Sequence, residues 1–195
     1  MLNAIKSVVL AAIIAMGVGG VAAADPFNDA EAAYIRRDYA TAMRLLRPLA
    51  DQGDPFAQFK LGIMYDLGRG VTQDYAAAVK WFGLAADQGD PFAQSSLGFM
   101  YGLGRGVTQD YAAAVKWYRM AADHGDPDAQ NNLGAMHAEG KGVTQDYVQA
   151  HKWFNLAATT GDADAVKARD MVAAKMTPAQ IAEAQKLARE WKPTK

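Results

Sequence analysis

Apolar positions along most of this chain fall three and four residues apart, the spacing of one face of an α-helix. The stripe Tyr75, Ala78, Val79, Phe82 and Ala86 is one instance, and its pattern returns at a period of 36 residues. No segment alternates with the period of two that marks a half-buried strand. Units opening at Asp54-Pro55, Asp90-Pro91 and Asp126-Pro127 follow one another without a gap. Repetition this close predicts a stack of like supersecondary elements rather than one irregular domain.

Each unit decodes as a helical hairpin. Asp54 is placed to cap a first helix, and Pro55 occupies the position where a missing N–H costs nothing. That helix A should reach about Asp66, where Gly68-Arg69-Gly70 ends it, glycine tolerating a left-handed backbone. Asp74 then caps helix B, and Gly89 closes the unit. Upstream, Asp38 to Gly53 repeats the helix B pattern, with a partner helix over about Asn28 to Arg36 and a bend expected at Pro48. Downstream, Asp162 to Ala174 takes the helix A role, and Thr177-Pro178-Ala179-Gln180 begins a last helix that ends near Trp191. The expected architecture is all-α: a right-handed α-α superhelical solenoid of about ten helices in stacked antiparallel pairs, finished by a C-terminal capping helix. Its parts are a degenerate hairpin over 25–53, three repeats over 54–161 and a cap over 162–195.

Residues 1–24 read as an export signal: Lys6, an apolar stretch from Ser7 to Val21, and Ala22-Ala23-Ala24 as the cleavage pattern, leaving Asp25 first. The apolar stretch is short for a membrane span, although an uncleaved anchor is the alternative. The expected location is therefore periplasmic or secreted, with no stable membrane insertion after cleavage. The net charge of −1 gives nucleic acid no electrostatic footing. With no cysteine there is no disulfide, thiolate metal site, cysteine nucleophile or lipid-bearing N-terminal Cys.

Ala57-Gln58, Leu61-Gly62, Met64-Tyr65, Gly68-x-Gly70-Val71, Asp74-Tyr75 and Ala78-x-Lys80-Trp81 through Ala85-Ala86-x-x-Gly89 resemble the SEL-like repeat family, a relative of the tetratricopeptide repeats. The resemblance extends over three full repeats, the degenerate hairpin and the cap. It implies an adaptor or scaffold without naming a partner. The chain departs from the family's cysteine-rich, disulfide-tied branch, and from the penicillin-binding activity suggested for it. His137 and His151 also depart, standing where the other units have Tyr65 and Tyr101, and Val79 and Val115.

Differences between units mark the positions that stacking leaves free. Ala57, Gln58, Leu61, Gly62 and Met64 recur unchanged and share one face of helix A. They should pack on neighbouring helices, the small Gly62, Gly98 and Gly134 letting backbones approach. The opposite face varies and should line an inner, concave groove. It is apolar toward the N-terminus (Phe56, Phe59, Ile63, Phe92, Phe99) and polar toward the C-terminus (Asp128, Asn131, Asn132), with Lys60 and Ser96 in the same sector. Exposed apolar side chains of this size forgo about 1.5–3 kcal/mol each, and a cluster of them marks a partner surface. The candidate partner-binding set is Phe56, Phe59, Lys60, Ile63, Phe92, Ser96, Phe99, Asn131 and Asn132, although Phe56 and Phe59 could instead pack under the N-terminal hairpin.

Trp81, Trp117 and Trp153 recur at the edge of the helix B stripe and are expected to pack between repeats. Arg69, Arg105 and Lys141 form a loop ladder that would touch an anionic polymer or stay solvated, its field cancelled by Asp74, Asp110 and Asp146. No catalytic centre is indicated. The loop Gly-x-Gly lacks the Lys-Ser/Thr of a phosphate cradle, and Ser95 and Ser96 lack an elbow motif. His137, His151 and Glu139 would make at most a weak zinc site, with ordinary packed histidines as the other reading. The expected function is a non-catalytic, monomeric scaffold binding a protein or peptide, without cofactor or metal. The alternative is a factor that holds peptidoglycan or glycan through Asn131, Asn132 and the cationic loops.

Overall fold

The computed structural model describes residues 26–194; the expected export signal over 1–24 lies outside them. Among the described residues there are ten α-helices, one 3₁₀ turn over Ala158–Thr160 and no strand. In chain order they are α1 (Pro26–Ile35), α2 (Tyr39–Asp51), α3 (Pro55–Leu67), α4 (Tyr75–Ala86), α5 (Pro91–Leu103), α6 (Tyr111–Asp123), α7 (Pro127–Glu139), α8 (Tyr147–Ala157), α9 (Ala163–Ala173) and α10 (Pro178–Glu190). From α1 to α9 each helix packs on the next, which builds a helical solenoid. The A helices α5, α7 and α9 also touch one another, so they form one wall of it.

The helix boundaries follow from the aspartates and glycines. Asp54, Asp90 and Asp126 each accept a backbone N–H at 2.7 Å, from Ala57, Ala93 and Ala129, and proline follows each cap. Asp74 and Asp110 cap the B helices at 3.0 Å in the same way. Gly68, Gly104 and Gly140 end the A helices in left-handed conformation. α2 runs through Pro48 without interruption.

The repeat glycines do different work from that expected of them. Gly62, Gly98 and Gly134 face an aromatic ring of the partner helix, not its backbone: a Cβ at Gly98 would lie 2.6 Å from Tyr118, and one at Gly134 2.8 Å from Phe154. Close backbone approach occurs instead at Gly70, Gly106 and Gly142 in the loops. There a Cβ would strike the backbone of Tyr39, Tyr75 and Tyr111, the first residues of the preceding B helices. These three also have positive φ (73°, 68° and 69°), so both backbone and space demand glycine.

The C-terminal end breaks the pattern of stacked pairs. α10 opens with the expected capping box at Thr177 and Gln180, but it packs along α8 rather than pairing with α9. Trp191 meets Trp153 edge-on at 6.5 Å, and Thr194 donates its backbone N–H to the Asp123 carbonyl at 2.7 Å. A solenoid's open end must be covered, and here the chain covers it by folding back. Trp153 is fully buried and Trp81 nearly so, as expected of packing residues, whereas Trp117 is only partly buried.

Candidate functional site

The A-helix wall encloses a cavity of about 380 Å³ that brings together seven of the nine candidate residues: Phe59, Ile63, Phe92, Ser96, Phe99, Asn131 and Asn132. Phe92 is 55% exposed and Phe99 43% exposed, although both sit on α5, whose opposite face is buried. Phe59 is half-buried, its ring 5.8 Å from Phe82 and 6.1 Å from Phe92. It therefore packs within the wall and not under the N-terminal hairpin. A second cavity of about 250 Å³ shares Phe99 and Asn132 with the first, and a third of about 370 Å³ shares Asn131. The result is one concave strip running from Phe59 to Met171 on α9.

Two candidates lie elsewhere. The Lys60 ammonium pairs with Glu31 and stands over the Tyr34 ring, which ties α3 to α1 instead of facing the groove. Phe56, 58% exposed, lies on the rim beside Pro91 and Phe92, its ring centre 6.4 Å from that of Phe27 of α1 in an edge-to-face pair. It thus leans on the N-terminal hairpin while keeping most of its surface in water.

The cavity also contains residues absent from the candidate set. Phe82 and Met100 belong to the recurring core and reach the groove floor from behind. Asp66, Ser95 and Asp128 vary between units, a signal available in the sequence. Asp126 is the constant helix cap; burial pushes its carboxyl above the usual range, against hydrogen bonds from the Ala129 N–H and the Ser95 hydroxyl. Asp66 Oδ1 and Asn131 Oδ1 are shielded from solvent and accept no hydrogen bond. No Lys, Arg or His lines this cavity.

The loop cations are not held by the helix-capping aspartates, and Arg105 and Lys141 stay exposed to solvent. Each stands on the tyrosine that opens the preceding B helix: Arg69 over Tyr39 at 5.4 Å, Arg105 over Tyr75 at 5.5 Å and Lys141 over Tyr111 at 5.8 Å. Arg69 also donates to the Tyr34 hydroxyl, Arg105 lies over Phe99, and Lys141 pairs with Glu139 at 2.6 Å. Attraction between a cation and a ring face makes this ladder a fastening between repeats.

His137 and His151 are both buried. His137 Nε2 lies 3.0 Å from the Arg119 guanidinium, which can only donate, so the ring proton belongs on Nδ1, itself buried without a partner. Burial, with Arg119 alongside, holds His137 below its ordinary pKa; burial, with Arg169 nearby, does the same to His151. Among the described residues no three His, Asp or Glu side chains gather as metal ligands would.

Comparison with known proteins agrees with this geometry. The model of the Sel1 repeat matches residues 30–54, 55–90, 91–126 and 127–162. A solved structure described as a protective antigen present in uropathogenic Escherichia coli strains and displaying an SLR fold is 41% identical, with a TM-score of 0.69 over 72% of this chain. This chain spans 31% of that antigen's length. A Sel1 repeat protein from Oxalobacter formigenes is 32% identical, with a TM-score of 0.67 over 83% of this chain and 74% of its own. No curated protein matches the chain significantly.

Proposed function

The chain belongs to the Sel1 repeat family, and from that premise we propose that it is a non-catalytic, monomeric adaptor, periplasmic or secreted, that binds a segment of a partner protein along its concave groove. Proteins of this family generally serve as protein-interaction scaffolds. The observation that carries the reading is Phe92 and Phe99. Both are large, aromatic and roughly half exposed on a wall whose reverse side is fully packed. A folded chain leaves such rings in water at a cost, and a contiguous patch of them marks a partner surface. Among the described residues no helix is long and apolar enough to cross a membrane.

The glycan reading calls on the loop cations, which stand over tyrosine rings while Arg105 and Lys141 keep exposed charge. Sedimentation with purified cell wall tests it.

The test compares three baits: the parent chain, a Phe92→Ser/Phe99→Ser variant, and Leu84→Ser, which removes an exposed side chain absent from the groove lining. A partner cross-linked from envelope extract of the source cell should be held by the parent and by Leu84→Ser and lost from the double variant. Each Phe→Ser change should lower stability by about 1 kcal/mol, about half the full burial value of such a ring. Leu97→Ala in the core should cost about 2–5 kcal/mol. Equal capture by the double variant, or core-sized losses at Phe92 and Phe99, would remove the groove from consideration.

A further inference from the structure

Resting on the groove reading, the question is what chemistry the guest must bring. The cavity's aromatic surface is supplied by Phe59, Phe92 and Phe99; of its polar groups, Asp66 lies on the α3 side and Asp128 and Asn131 on the α7 side. Every one of these polar groups can accept a hydrogen bond, and the carboxylates can only accept while ionised. Asp66 occupies an unfavourable place. It lies in the last turn of α3, where free carbonyls already concentrate negative charge, and no basic residue stands in that turn. Its Oδ1 is buried and receives no donor, and Asn131 Oδ1 shares that condition. Two buried acceptors left without donors are a cost to the folded chain that a guest could relieve.

Asp128 sits in the first turn of α7. The nearby cations are occupied: Arg105 lies between Tyr75 and Phe99, and Lys60 is paired with Glu31. Neither lines the cavity. The first cavity thus offers negative charge and acceptors beside aromatic surface, with no cation in its own lining; the strip's cations, Lys141 and Lys175, line the two further cavities.

We propose that the guest is a basic, aromatic polypeptide segment: Lys or Arg side chains received by Asp66 on the α3 side or by Asp128 and the Asn131 carbonyl on the α7 side, beside an aromatic or large aliphatic side chain resting on Phe92 and Phe99. Continuation of the strip past Asn131 and Asn132 into two further cavities suits an extended chain better than a small amine.

The test selects a random peptide library displayed on phage against the full chain, then measures selected peptides by fluorescence anisotropy. Selected sequences should carry Lys or Arg next to Phe, Trp, Tyr or Leu, and binding should weaken steeply with added salt. Asp66→Asn should weaken binding at least tenfold while the unfolding midpoint stays level or rises, since the substitution removes a charge from the wrong end of a helix. A residue with a purely structural role would show the reverse: lower stability and unchanged affinity. Acidic or wholly apolar peptides that bind the parent and fail on Phe92→Ser/Phe99→Ser would overturn the charge inference and leave the groove standing. Peptides that bind that double variant as well as the parent would overturn both.

Discussion

The second and third full-length repeats, 91–126 (repeat two) and 127–162 (repeat three), share a frame and differ in what fills it. Both have an aspartate–proline cap bonded at 2.7 Å, a left-handed glycine closing helix A and a loop glycine pressed on the preceding B helix. Within that frame, Phe92 and Phe99 of repeat two become Asp128 and Ala135 in repeat three, and Tyr101 and Val115 become His137 and His151. The first pair of changes replaces one ring with a carboxylate and the other with a methyl group. The second places titratable rings where a hydroxyl-bearing ring and a hydrocarbon stood. The frame therefore decides that the units stack, while the filling decides what the stack can hold and how it responds to acid.

The largest effect should come from breaking the frame, and it should be alike in the two repeats. Gly106→Ala places a Cβ against the Tyr75 backbone at a φ of 68°, and Gly142→Ala does the same against Tyr111 at 69°. A left-handed non-glycine costs about 1–2 kcal/mol, and overpacking adds about 1–3. Each variant should thus lose about 2–5 kcal/mol in urea unfolding. A loss at one site only would mean that the repeats are not mechanically equivalent.

That equivalence was legible in the sequence, because caps, closing glycines and the constant helix face are local signals repeated three times. The candidate set drawn from the variable face gave seven of the cavity's residues for the same reason. What escaped depends on where separate helices land. Nothing near Lys60 in the chain announces Glu31 or Tyr34. The fold-back of α10 onto α8 rests on Trp191 meeting Trp153, two residues that sequence spacing does not connect. The role of Gly62, Gly98 and Gly134 was misread because the ring opposite each belongs to another helix.

The next effect should separate the two repeats. In repeat three both histidines are held below their ordinary pKa, chiefly by burial. When the chain unfolds, each ring regains an ordinary value of about 6.5. Below that pH the unfolded state binds more protons, so the stabilisation present above it is lost as pH falls toward the folded values. Acid also charges a ring 3.0 Å from the Arg119 guanidinium. The unfolding midpoint should be several degrees lower at about pH 5 than at about pH 7.5, at about 2–4 °C per kcal/mol for a chain of this size. Buried Asp90 and Asp126, whose carboxyls are raised, pull the other way at lower pH. His137→Tyr and His151→Val, which restore the residues of the other units, isolate the histidine contribution by flattening the profile. A profile that keeps its slope in both variants would assign the acid response to other groups.

The smallest effect belongs to the loop ladder, and its order along the chain is the informative quantity. Arg69 touches two tyrosine rings and donates to the Tyr34 hydroxyl; Arg105 touches Tyr75 and Phe99; Lys141 has one ring and a solvent-exposed partner in Glu139. A planar guanidinium stacks on a ring and still donates, whereas an ammonium acts as a compact, strongly hydrated charge. Alanine at Arg69 should lower the unfolding midpoint most, at Arg105 less, and at Lys141 least, with every loss below that of the loop glycines. Added salt should reduce the Lys141 effect more than the other two, because an exposed ion pair is screened. If Lys141→Ala costs as much as Arg69→Ala, the fastening between repeats does not come from ring contacts, and repeats two and three are joined by their glycine seats and apolar faces alone.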